Sequence, residues 1–76
     1  MYKFIVETTD DKLRALNRYK DLRSYKNNVQ METTDSITYN LFYNIRATPA
    51  DTLRIRDSLN RWYYRDNSII RVRIEK

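Results

Sequence analysis

Residues 48–66, from Thr48 and Pro49 through Trp62 to Asp66, constrain the fold most, because the start and the faces of a helix can be read directly from them. Thr48 suits the N-cap, and Pro49 suits the first helical position, where its missing N–H would have no partner in any residue. Asp51 adds a carboxylate among the free amides of the first turn. On a helical wheel Ile55, Leu59 and Trp62 fall together with Tyr63 at their margin, while Arg54, Arg61 and Arg65 align on another face. One side therefore docks on a core and another shows guanidinium groups to solvent. Leu53 and Tyr64 define a third line near Asn60, which is either a small apolar contact ridge or a widening of the core stripe.

The rest of the chain supplies the layer this helix needs. Tyr2 to Glu7 reads as a strand with Tyr2, Phe4 and Val6 on one side and Lys3, Ile5 and Glu7 on the other. Thr8-Thr9-Asp10-Asp11 turns the chain, with Thr9 or Asp10 as the cap of a helix over Lys12 to about Lys26. That helix buries Ala15, Leu16, Tyr19 and Leu22, places Arg14, Arg18 and Tyr25 on one line, and fringes its core stripe with Lys12, Lys20, Arg23 and Lys26. Asn27-Asn28 should end it, since in a chain without glycine Asn best tolerates a left-handed C-cap. Val29–Thr33 alternates as a strand, and Thr34-Asp35-Ser36 forms a turn. Ile37–Arg46 then gives the longest period-two run, with Ile37, Tyr39, Leu41, Tyr43 and Ile45 inward. Ile69–Glu75 closes the chain as a strand with Ile70, Val72 and Ile74 inward and Arg71 and Arg73 outward. This order resembles the split βαββαβ of ferredoxin-like domains. The likeness implies a single α+β domain over residues 1–76: a four-stranded antiparallel sheet, first and third strands central, with two helices on one face.

Composition narrows the chemistry. Seventy-six residues give one small core, so a bound partner or a second copy would add stability. Without Cys there is no disulfide or thiolate metal site, and without His the usual neutral-pH base and commonest metal ligand are missing. Without Gly no glycine-rich phosphate loop can form. No catalysis and no cofactor or metal are expected. A net charge of +5 favours a polyanionic or acidic partner. The N-terminal apolar run is too short for a signal peptide or a membrane span, which points to a cytoplasmic protein with no membrane partner.

The uncovered sheet face is the expected site. Phe42 between Asn40 and Asn44, with Arg46, Arg71, Arg73 and Lys3 nearby, resembles a reduced form of the surface on which RNA-binding domains of this topology stack unpaired bases. The resemblance is one of topology, for the Gly-bearing signature of that family's third strand has no counterpart. It implies RNA or another nucleic acid as partner, with Phe42 stacking and Lys3, Asn40, Asn44, Arg46, Arg71 and Arg73 around it. Arg54, Arg61 and Arg65 would add phosphate contacts from the helix.

Two other readings compete. A small, basic, Gly-free chain also fits a bacteriophage or mobile-element accessory protein that inhibits a host or defence protein by direct binding in the host cytoplasm. A homodimer would cover the same sheet. Some small nucleases of ferredoxin-like topology carry an acidic residue after the first strand, where Glu7, Asp10 and Asp11 fall, but helix capping accounts for the aspartates.

Overall fold

A computed structural model describes residues 1–25 and 27–76. Its elements are β1 (Tyr2–Thr9), α1 (Lys12–Ser24), β2 (Gln30–Thr33), β3 (Tyr39–Ile45), α2 (Thr52–Tyr64) and β4 (Arg73–Glu75). The strands form one antiparallel sheet in the order β2-β3-β1-β4, with β1 and β3 central as the element order implies. Both helices pack on one face. Between them and the sheet lie Phe4, Val6, Leu22, Val29, Leu41, Tyr43 and Val72, flanked by Tyr19, Met31, Ile55, Leu59, Tyr63, Tyr64 and Ile74. The inward alternation of β3 therefore holds for Leu41, Tyr43 and Ile45, and Tyr39 is buried outside that cluster.

Several local expectations are corrected. The ladder of β1 against β3 slips between Ile5 and Glu7: Ile5 faces Phe42, but Glu7 faces Leu41. A bulge at Val6 thus carries Glu7 to the helix-covered face, whereas strict alternation placed it with Lys3 and Ile5. Tyr64 donates its hydroxyl hydrogen to the carbonyl of Val6, the bulged residue. Tyr64 is therefore part of the core, not of an outer ridge.

Asp11, not Thr9 or Asp10, caps α1. Its carboxylate accepts from the Arg14 amide at 3.1 Å, while Thr9 Oγ1 accepts from the Asp11 amide. The helix ends at Ser24 with Tyr25, not Asn27 or Asn28, as C-cap. Asn27 Oδ1 instead accepts from the Val29 amide and the Tyr43 hydroxyl. The expected extension to Lys26, and that residue's place on the basic fringe, lie outside the described residues.

The start of α2 is tighter than the sequence implies. Pro49–Asp51 forms a 3-10 turn, and Thr48 Oγ1 donates to the Asp51 carboxylate instead of capping an amide. The buried stripe then runs through Thr52, Ile55, Leu59, Asn60, Tyr63 and Tyr64, leaving Trp62 half exposed. Ile37 is exposed in the turn before β3, where the Asp35 carboxylate accepts its amide.

β4 begins only at Arg73, so Ile69 and Ile70 are exposed and Arg71 belongs to no strand. The cause is Asn60, which is wholly buried on α2. Its Oδ1 accepts the amides of Arg71 (2.7 Å) and Val72 (3.2 Å), and its Nδ2 donates to the carbonyls of Asp66 and Ile69 and to Asn67 Oδ1. Those backbone groups are satisfied by a side chain, so the segment needs no sheet partner.

Candidate functional site

The uncovered sheet face assembles three cross-strand rows. Lys3 lies between Asn44 and Glu75, Ile5 between Phe42 and Arg73, and Asn40 between Thr8 and Glu32. Residues in such rows point the same way and meet side by side. Lys3, Asn40, Phe42, Asn44 and Arg73 are thus brought onto one surface, as expected from the alternation. Arg46 is exposed just beyond the end of β3.

Phe42 does not present its ring to solvent there. It is 8% exposed, and the Lys3 ammonium lies 4.6 Å from its ring centroid. Lys3 is held in place from the other side by Glu32 Oε1 at 2.7 Å. Glu32 also accepts from Asn40 Nδ2, and these two hydrogen bonds, that of Lys3 first, hold its carboxyl below the usual range. The network continues from Asn40 through the Thr8 hydroxyl, which accepts an Nη2 hydrogen of Arg73 at 2.7 Å. Two cations here, Lys3 and Arg73, face two carboxylates, Glu32 and Glu75, so this surface carries little net charge.

The positive charge concentrates where β1 and α2 end. Glu7 is carried under the helices by the bulge and accepts from Tyr63 Oη at 2.7 Å and from Arg14 Nε at 3.0 Å. Tyr63 Oη in turn accepts from Arg18 Nε at 3.1 Å, and the Arg18 guanidinium lies 4.8 Å from the Tyr63 ring centroid. Burial first, then the bond to Glu7, pushes the Tyr63 phenol far above its ordinary range. The ring of Tyr64 stands 4.9 Å from that of Tyr63, edge on, and carries the Arg71 guanidinium at 5.0 Å. Arg71 thus belongs to this cluster and not to the row expected on β4.

The three arginines expected on the second helix differ in state. Arg54 has Asp51 within 3.5 Å. Arg61 and Arg65 are exposed and have no carboxylate within salt-bridge distance among the described residues. Arg65 follows α2 with left-handed backbone, φ 63°. Arg18, Tyr63 and Tyr64, which the wheel positions placed on separate lines, are joined here into one site. The signal was present as Arg14 and Arg18 one turn apart, opposite two consecutive tyrosines, but only the tertiary fold brings the helices together.

Among the described residues no group of acidic side chains could hold a metal ion, and no helix is long and apolar enough to cross a membrane. Asp10 and Asp11 are exposed, and Glu7 is already engaged by Arg14 and Tyr63. No family model, curated protein or solved structure matches the chain.

Proposed function

We propose that this is a non-catalytic binding domain for RNA or another nucleic acid, whose contact surface is centred on the helices and the end of α2. The observation that carries the reading is the pair of guanidinium groups, Arg18 on Tyr63 and Arg71 on Tyr64, held over adjacent rings with no acidic partner within salt-bridge distance among the described residues. A guanidinium fixed on an aromatic face keeps its donors directed and loses little freedom when it meets phosphate. Arg61 and Arg65 extend the positive surface along the end of α2. Lys3, Asn40 and Phe42 support the sheet in this reading, and stacking by Phe42 would first require the Lys3–Glu32 pair to open.

The test is fluorescence anisotropy of a labelled single-stranded RNA and a duplex DNA at two salt concentrations, with wild type and an Arg18→Ala, Arg71→Ala pair. Removal of each phosphate-binding guanidinium should flatten the log–log salt slope by about 0.7 for a single strand and 0.9 for a duplex. Affinity that ignores salt, or a double variant with an unchanged slope, removes the proposal.

A second reading, an accessory protein that blocks a host or defence protein in the cytoplasm, is favoured by adjacent Ile69 and Ile70, both exposed in the segment that Asn60 holds. A partner kept from lysate after nuclease digestion, and absent with an Ile69→Ser, Ile70→Ser variant, supports it. Disappearance of every partner on digestion favours nucleic acid.

A further inference from the structure

Trp62 is 51% exposed, yet it is not loosely held. Its ring meets Tyr43 edge to face at 6.3 Å and Tyr63 at 6.2 Å, so one side is fixed by the core and the other is open. It separates two depressions. One, of about 590 Å3, is bordered by Arg54, Asp57, Ser58, Arg61 and Asn67. The other, of about 450 Å3, runs between α1 and α2 and is lined by Arg18, Leu22, Tyr25, Trp62, Tyr63 and Arg65.

The groove between the helices has a distinctive chemistry. Its apolar floor is the buried Leu22, its walls are the exposed rings of Tyr25 and Trp62, and Arg18 and Arg65 provide charge. Among the described residues no carboxylate lines it, whereas Asp57 borders the neighbouring depression and Glu7 lines the pocket at the sheet edge. Arg18 uses Nε on the Tyr63 hydroxyl, and no bond to its terminal nitrogens is made among the described residues. A flat apolar ligand with an anionic group fits such walls, and the volume lies within the range of ordinary small-ligand sites.

We infer that this groove takes one unstacked nucleobase with its adjoining phosphate, so that the ligand is a single strand and not a duplex. The inference rests on the nucleic-acid reading above. The base stacks on Trp62, and Arg18 and Arg65 take the phosphates on either side. Arg61, on the far side of Trp62, continues the track into the neighbouring depression. A paired base is already stacked on both faces and does not reach a side chain set between two helices, which is the basis of the selectivity.

Trp62 is the chain's single tryptophan, so its emission reports on this site alone. The experiment titrates the full chain with unlabelled oligouridylate and with a duplex of equal length, reading both Trp62 emission and competition against a labelled strand. The expected result is saturable quenching by the single strand, at least tenfold weaker competition by the duplex, and an affinity loss of about five- to 150-fold in Trp62→Ala, the range of one base–aromatic stack. Trp62→Phe should recover part of that loss. Binding that leaves the emission unchanged, or equally tight binding by Trp62→Ala or by the duplex, overturns the groove while leaving the phosphate-binding surface standing. If neither nucleic acid binds at low salt, both proposals fall.

Discussion

Tyr63 donates its hydroxyl hydrogen to Glu7 at 2.7 Å, joining the end of the second helix to the bulge of the first strand across 56 residues of chain. Arg14 bonds the same carboxylate and Arg18 bonds the same hydroxyl, so one network ties β1, α1 and α2 together. The bulge is what makes this arrangement available, since strict alternation would turn Glu7 to the other side of the sheet.

Tyr63→Phe should therefore destabilise the domain beyond the loss of one oxygen. It leaves Arg18 Nε without its acceptor and Glu7 with Arg14 alone, at a cost of about 1–3 kcal/mol. The pH dependence has a defined sign. The Tyr63 phenol is raised in the folded state from its ordinary value of 10.0, so the unfolded chain ionises first. Its stabilising contribution is complete below pH 10 and declines as the pH climbs above that value toward the folded-state pKa. Urea unfolding from neutral to strongly alkaline pH should show a fall in wild type that is shallower in Tyr63→Phe.

Asn60→Ala should be among the most damaging single substitutions. The side chain is fully buried and serves Asp66, Asn67, Ile69, Arg71 and Val72. Each backbone group left buried without a partner costs about 1–3 kcal/mol, and a domain of this size has only a few kcal/mol in reserve. The expected outcome is a largely unfolded chain by circular dichroism. Where folding is retained at low temperature, hydrogen exchange should quicken first at the Arg71 and Val72 amides.

The elements most legible in the sequence were those with a long, uninterrupted period. The alternation of β3, the helical spacing from Ile55 to Tyr63 and the order of the six elements all led to the observed sheet. What alternation could not show was any place where one residue changes the phase. The extra residue at Val6 moves Glu7 across the sheet, and nothing in Phe-Ile-Val-Glu distinguishes a bulge from a regular strand. Asn60 was hidden in the opposite way, because a polar residue on a helix reads as surface until the segment that needs its donors is brought beside it. The same cause shortened the last strand, since Arg71 and Val72 give their amides to Asn60. Phe42 was correctly placed on the uncovered face, but its burial depends on Lys3 lying across it, a long-range packing relationship that residue pattern does not encode.

Phe42→Leu should separate fold from binding. The ring is packed with Ile5 beneath Lys3, so a smaller apolar side chain should cost up to about 1.5 kcal/mol. Nucleic-acid affinity and its salt slope should stay at wild-type values once the comparison is made well below the melting temperature. A drop in affinity without a change in stability would return the contact surface to the sheet.

Arg65→Gly should move stability and affinity in opposite directions. Arg65 holds φ 63° after the last turn of α2, a conformation that glycine adopts freely and that a residue with a Cβ reaches at a cost of about 1–2 kcal/mol. Glycine's greater freedom in the unfolded chain offsets part of that gain, leaving about 0.5–1 kcal/mol in favour of the variant. The same change deletes a guanidinium from the groove between the helices, which should weaken single-strand binding and reduce its salt slope by about 0.7. Thermal unfolding and anisotropy on one preparation decide the matter. A variant that is more stable and binds as well as wild type would show that Arg65 is a tolerated C-cap and no part of the contact surface. A variant that is more stable and binds less tightly would show that the chain retains a strained arginine for its charge.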